Sequence, residues 1–149
     1  MKSFFTLFFC LLTLSAFCQN KEVNWKFKAK KTAPQTYIIR ATATINEGWY
    51  VYSQYLESDK GPISTHWTFE KEPVIELVGD PVEEGKKVEG WDDLFDMNIV
   101  KYKNKMILEH IIKVPKGQRR VKGSITFMSC NDKQCMPPSD IMFDVKLPR

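Results

Sequence analysis

From Val23 onward the chain alternates apolar and polar residues in short runs, and most runs end at a cluster of Gly, Pro, Asn or Asp. A period of two sends successive side chains to opposite faces of an extended strand, so each run has one face to bury. Val23–Ala29 and Tyr37–Ile45 show the pattern most clearly, linked by the turn chemistry of Lys31-Thr-Ala-Pro-Gln35. Further strand candidates are Trp49–Tyr52, His66–Glu70, Val74–Val78, Lys105–Val114, Lys122–Ser129 and Ile141–Leu147. Turns separate them at Asn46-Glu-Gly48, Asp59-Lys-Gly-Pro62, Gly79-Asp-Pro81 and Pro115-Lys-Gly117, where Gly and Pro supply backbone angles that other residues resist. A 3.6-residue period is nowhere sustained, a short helical turn around Gln54–Ser58 being the sole suggestion of one. Seven or eight short strands at this spacing predict an all-β protein, an antiparallel β-sandwich of immunoglobulin-like topology. The Trp and disulfide placement of antibody domains is absent. Gly85–Met97 fits neither period; with Trp91, Leu94 and Phe95 among acids, it is expected to be a loop that docks on the domain or covers something.

The first residues are of another kind. Lys2 precedes an apolar stretch from Phe4 to Leu14, followed by small residues at Ala16 and Cys18, the layout of a secretory signal peptide. That stretch falls short of the roughly 20 residues needed to cross a bilayer, and no later segment approaches this length. The reading is a signal over residues 1–18, cleavage before Gln19, and one domain over 19–149. Lipid attachment at Cys18 is the weaker alternative, because Phe17 stands where a small residue is expected, and an uncleaved anchor is the third. The remaining chain of about 130 residues can bury a core without several disulfides.

Export leaves two cysteines, Cys130 and Cys135, with four residues between them, in Ile125-Thr-Phe-Met-Ser-Cys130-Asn-Asp-Lys-Gln-Cys135-Met-Pro-Pro-Ser139. A hairpin there would bring the two within the roughly 5.5–6 Å Cα separation of a disulfide. So small a ring contributes roughly 2 kcal/mol, against about 4.7 for a hundred-residue loop, which makes it a poor staple and a plausible redox switch. Pro137 and Pro138 cannot donate ladder hydrogen bonds, so the return strand begins at an edge or bulge and the sulfurs lie near the rim. Asp132 and Lys133 pull a thiol pKa in opposite directions. On spacing alone, an ordinary hairpin disulfide and an exchange site both remain open.

Other chemistries find less support. A net charge of +4 and the clusters Lys28-Ala-Lys-Lys31 and Gln118-Arg-Arg120, without interleaved aromatics, argue against nucleic acid. Met128, Cys130, Cys135 and Met136 are soft ligands suited to Cu(I), but Met136 adjoins Cys135 and should point away from it, so no metal is assigned. His66 and His110 show no ligand spacing. The pairs Glu83-Glu84 and Asp92-Asp93 diverge on extended chain, and no hydrolytic triad or phosphate loop is readable.

Three elements then occur in order: Gly48-Trp-Tyr-Val-Tyr52, Trp91-Asp-Asp-Leu-Phe95, and Thr126-Phe-Met-Ser-Cys130 with Cys135-Met-Pro-Pro138. In these the chain resembles, from about Val23 to Leu147, the amino-terminal periplasmic domain of the thiol:disulfide interchange protein DsbD family. The resemblance implies an immunoglobulin-like domain that takes electrons from a thioredoxin-like domain and passes them to periplasmic thiol proteins, with a link to cytochrome c biogenesis. It implies Cys130 and Cys135 as the redox pair, Cys135 meeting partners, Phe95 as the cap-loop aromatic over the sulfurs, Asp93 beside it, and Tyr50 and Tyr52 lining the site. No dissociable cofactor is implied, since the sulfurs carry the electrons. Read as ordinary residues, Phe95 is a docked loop side chain and the tyrosines are cross-strand packing. Full-length members continue into a membrane-spanning carrier and a thioredoxin-like domain; this chain ends at Arg149, so either a separate membrane protein supplies electrons or the domain has been put to another use. The spacing between the cysteines is one residue shorter than in the best-known members. The rival reading is a secreted sandwich that binds proteins and whose disulfide is purely structural.

Overall fold

The computed structural model describes residues 22–149 except 59 and 72, so the signal-peptide reading lies outside the described residues. Nine strands follow in order: β1 Val23–Ala33, β2 Thr36–Ile45, β3 Tyr50–Tyr52, β4 His66–Phe69, β5 Glu76–Asp92, β6 Met97–Lys113, β7 Arg120–Phe127, β8 Ser129–Cys130 and β9 Ser139–Lys146. All pairings among them are antiparallel. The larger sheet is ordered β1-β2-β6-β3-β8, with β5 on the other edge of β6, and the smaller is β4-β7-β9. This is the all-β, immunoglobulin-like sandwich that the alternation predicts. The helical turn suggested at Gln54–Ser58 does not form.

Alternation is what closes the two sheets on each other. In β2, Ile39, Ala41, Ala43 and Ile45 are buried, and in β7 Val121, Ile125 and Phe127 are too. Aromatic rings cross the gap: Trp25 meets Phe127 edge-on at 5.4 Å between centroids, and Phe27 stacks on Phe143 at 5.0 Å. Each such side chain withdrawn from water contributes about 1.5–3 kcal/mol. Gly123 of β7 lies beneath the Phe143 ring and against the Thr68 carbonyl, where a Cβ would collide with both. Its lack of a side chain lets β4 and the aromatic layer close on β7.

The main departure from the sequence reading concerns residues 85–97. They form no loop: β5 runs past Gly79-Asp-Pro81 to Asp92, and β6 begins at Met97 rather than Lys105, making one long hairpin. The expected turn at Gly79 is a bulge, with register shifts between Val78 and Val82 and again between Gly85 and Lys86. Gly79 and Gly85 have φ of +66° and +146°, angles at which a side chain is strained. No residue of β5 is fully buried, so no single face is apolar and the alternation that betrays other strands is missing. Ladder hydrogen bonds to β6 hold it instead.

Two further features place the site. Lys101–Lys103 pair with β3 and Lys105–Lys113 with β2, on the edge of β6 opposite β5, so β3 continues β2 after the Asn46–Trp49 turn. The expected strand Lys122–Ser129 is two strands: the chain leaves the small sheet after Phe127 and joins the large sheet at Ser129. Met128 is the crossing point.

Candidate functional site

All three residues of β3 are buried, because both of its faces are covered. Val51 faces the sandwich interior, whereas Tyr50 and Tyr52 face outward into a separate apolar cluster with Ile99 and Cys130. Leu56, Phe95, Met97 and Met128 pack on that cluster. The structure thus gathers one cysteine, both tyrosines and the cap aromatic singled out from the sequence into one layer on the outer face of the large sheet. Tyr50 is the register partner of Cys130 across the β3–β8 ladder.

Cys130 and Cys135 form a disulfide, and their residues make an isolated antiparallel bridge with Cα atoms 4.0 Å apart. That separation is below the roughly 5.5–6 Å anticipated for an ordinary pair. Asn131 builds the turn between them. Its side-chain oxygen accepts the N–H groups of Lys133 and Gln134, each at 2.9 Å, while its own N–H donates to the Gln134 carbonyl. Met136 N–H donates to the Ser129 carbonyl at 2.8 Å, after which Pro137 and Pro138 carry the chain to β9. The two halves of the disulfide differ in access: Cys130 is fully buried and Cys135 is exposed.

The segment expected to cap the sulfurs is the tip of the β5–β6 hairpin. Asp92 and Met97 are its last register pair, and the turn between them holds Asp93, Leu94, Phe95 and Asp96, the last with φ of +52°. Phe95 meets Tyr52 edge-on at 6.1 Å, and Tyr52 meets Tyr50 edge-on at 5.7 Å, a relay of rings from the turn to the cysteine's neighbour. Trp91 and Leu94 flank Phe95 and are 60% and 75% exposed. Asp93 is exposed in the turn; the acid that acts on the tyrosines is its neighbour Asp92.

The phenols are held protonated. Burial pushes the Tyr50 pKa up, and the Asp92 and Asp132 carboxylates add to the effect. Burial raises Tyr52 further, well above its ordinary range. The Tyr50 hydroxyl donates to the Asn131 carbonyl at 3.3 Å, tying β3 to the cysteine turn. The Tyr52 hydroxyl is buried beside that of Tyr50, which acts with burial to favour its neutral form.

Asp92 and Lys101 escape a reading based on the sequence alone, which gives Asn131 a turn but no further part in the site. Asn131 carried a signal, since Asn commonly opens turns through its side-chain oxygen. Asp92 and Lys101 carried none, because their positions depend on the β5–β6 register. Met136 is not among the residues packed on the buried cysteine, whereas Met97 and Met128 are. No cluster of three or more His, Cys, Asp or Glu able to hold a metal occurs among the described residues.

Known proteins resemble this chain in sequence and in fold. The sequence profile of the thiol:disulfide interchange protein DsbD, N-terminal, matches residues 15–147. Among solved structures, the N-terminal periplasmic domain of ScsB from Proteus mirabilis superposes with a TM-score of 0.62 at 14% identity, covering 84% of this chain and 46% of that one. The chain thus spans less than half of that protein's crystallised length. The reduced DsbD N-terminal domain of Neisseria meningitidis superposes with a TM-score of 0.54 at 18% identity, covering 80% of this chain and 83% of that one. No curated protein sequence matches the chain. With nearly its whole described length matched by one profile, the chain belongs to the DsbD amino-terminal domain family.

Proposed function

We propose that this is an exported, periplasmic domain that relays reducing equivalents by thiol–disulfide exchange, from a thioredoxin-like donor to periplasmic thiol proteins. Residues 1–18 serve as its signal peptide and 19–149 as the working domain. One observation carries the reading: the disulfide joins a cysteine sealed under aromatic rings to a cysteine open to solvent. A structural disulfide needs no accessible sulfur, whereas exchange needs one within reach of an attacking thiolate.

The chemistry follows from that asymmetry. A donor thiolate attacks Sγ of Cys135, the Cys130–Cys135 bond breaks, and the electron pair leaves on Cys130 sulfur, which takes up a proton. The donor's second thiolate then attacks the donor sulfur of the mixed disulfide and releases Cys135 as a thiolate. The donor is oxidised to a disulfide, and this domain gains two electrons and the proton on Cys130; a second proton enters from water only when the Cys135 thiolate is protonated. In the forward step the Cys135 thiolate attacks an acceptor disulfide and the sequence runs in reverse.

Phe95, Tyr50 and Tyr52 act on access rather than on bond making. Packed over Cys130, they keep water and stray oxidants from the buried sulfur, and an apolar surrounding disfavours its thiolate. The exposed Trp91 and Leu94 offer the partner an apolar landing at the lid's own edge.

The experiment is to trap partners with single-cysteine variants. Cys130→Ala leaves the exposed thiol free and should yield mixed disulfides with thioredoxin-fold proteins; Cys135→Ala should yield far fewer. Equal trapping by both variants, or by neither, would overturn the assignment. The exposed apolar hairpin tip also suits a binding module with an inert disulfide. A reduction potential below about −300 mV, with no response to thioredoxin-like proteins, would favour that alternative.

A further inference from the structure

Across the outer face of the large sheet, one row of register partners leads to the disulfide. Lys86 of β5 stands opposite Lys103 of β6, Lys103 opposite Tyr50 of β3, Tyr50 opposite Cys130 of β8, and Cys130 opposite Cys135. Register partners in antiparallel strands project to the same face, so the row sets two ammonium groups in line with the two sulfurs. The bulge after Gly85 makes the alignment, since the register passes from Gly85 and Met106 directly to Lys86 and Lys103. With strands about 4.8 Å apart and 4.0 Å between the cysteine Cα atoms, Lys103 stands roughly 14 Å from Cys135 and Lys86 roughly 19 Å.

The charge on this row is not balanced within the fold. Like charges that face each other across a ladder repel, and neither Lys86 nor Lys103 forms an ion pair among the described residues. Arg40 and Lys113 show the ordinary arrangement, each facing a carboxylate in register, Glu109 and Glu76. Lys86 is exposed and Lys103 half-buried, its ammonium 5.9 Å from the centroid of the Tyr50 ring. That ring leads on to the cysteine turn, where its hydroxyl meets the Asn131 carbonyl. Lys101 lies 4.3 Å from the same centroid, but Asp92 matches it at 3.7 Å. In the cysteine turn, the adjacent Asp132 and Lys133 offset each other. The charge left over on the approach to the sulfurs is positive.

We infer that this row is a docking surface for an acidic protein, one whose carboxylates lie roughly 14–19 Å from the sulfur it exchanges with Cys135, over Lys103 and Lys86. Such a partner relieves the repulsion between the two lysines and meets the domain faster than a neutral one. The Debye length is about 8 Å at physiological ionic strength, so the row acts on carboxylates set above it rather than on a partner's net charge at large. The inference deepens the exchange reading above and rests on it for its biological meaning, while the surface itself is testable with synthetic thiols.

The measurement is the second-order rate at which two end-capped peptide thiols reduce the oxidised protein. One is Asp-Asp-Ser-Gly-Ser-Cys, whose carboxylates span the required distance in extended form, and the other has Ser for both Asp. At low salt the acidic peptide should react roughly three- to tenfold faster, and high salt should erase the difference. Lys86→Gln combined with Lys103→Gln should abolish the advantage and slow the serine peptide less than about twofold, since only its thiolate feels the lost charge. Lys26→Gln combined with Lys28→Gln, on β1 at the far edge of the same face, removes as much charge and should leave the advantage intact. The unfolding midpoint of the Lys86 and Lys103 double variant should stay level or rise, because a repulsion is removed. Equal rates for the two peptides overturn the docking surface, as does an advantage that survives the Lys86 and Lys103 changes or disappears with Lys26 and Lys28. A lower midpoint in the slowed variant assigns the lysines to structure and overturns it too. Equal peptide rates with binding to phosphatidylglycerol vesicles that needs Lys86 and Lys103 would assign the row to a lipid surface instead. Reduction of the unaltered and lysine-altered proteins alike by a thioredoxin-fold protein, with equal peptide rates, leaves the exchange reading standing and removes the docking surface. The acidic advantage without reduction by any thioredoxin-fold protein does the reverse.

Discussion

Glu83 shows how a single side chain can hold a bulge in place. Its carboxylate accepts the Ser53 hydroxyl at 2.7 Å, the Gln54 N–H at 2.6 Å and the Tyr102 hydroxyl at 3.0 Å, tying the irregular part of β5 to the segment after β3. Hydrogen bonds to a charged acceptor contribute about 1.5–3 kcal/mol each, so Glu83→Gln should lower unfolding free energy by roughly 1–3 kcal/mol in urea titration. An unchanged midpoint would show that water replaces these bonds without cost. From sequence, Glu83-Glu84 reads as an acid pair that diverges on extended chain, and nothing near it points to three donors. The tyrosines were more legible. Tyr50 and Tyr52 stand two apart and must share a strand face, though which face, and what covers it, depended on distant residues. Adjacent Asp92 and Asp93 must diverge, and the register of the hairpin chose Asp92 to face Lys101.

Among the elements, β7 and the β5–β6 hairpin represent opposite cases of legibility. β7 is readable because one face is packed and the other wet, and its sharpest local constraint is Gly123. Gly123→Ala should cost about 1–3 kcal/mol, seen as a lower thermal midpoint, since its Cβ would collide with backbone of β4 and the Phe143 ring together. An unchanged midpoint would mean that β4 can shift outward freely. The hairpin is unreadable for the converse reason: β5 buries no complete face, and bulges at Gly79 and Gly85 break what period it has. Its strand character comes from hydrogen bonding to β6, a property of the partner rather than of its own side chains.

At the scale of the whole molecule, the disulfide is peripheral to stability. It closes a ring of a few residues outside the sandwich core, so reduction should lower unfolding free energy by roughly 2 kcal/mol and leave cooperative unfolding intact. Reduced and oxidised forms compared by urea titration test this; collapse of the reduced domain would rule out any reversible carrier role. A second global expectation concerns alkaline pH. Burial raises Tyr50, Tyr52 and Tyr102 above their ordinary value of 10.0, so the folded state holds those protons longer than the unfolded chain does. The resulting stability is complete below that value and is lost as pH rises through and beyond it. Thermal midpoints should therefore be steady through neutral pH and fall above about pH 10. Tyrosinate absorbance for these three should appear together with unfolding.

Alternation alone settled that this chain makes sheets, because a period of two leaves one apolar face that only another sheet can cover. Local chemistry settled the cysteine hairpin as well, since Asn131 opens its turn and the prolines end it within a few residues. Tertiary structure decided the rest: which sulfur is sealed, which acid meets Lys101, and that Phe95 tops a hairpin rather than a loop. Those outcomes hang on register between strands far apart in sequence, and a one-residue slip would have reversed every face without altering the pattern from which the strands were read.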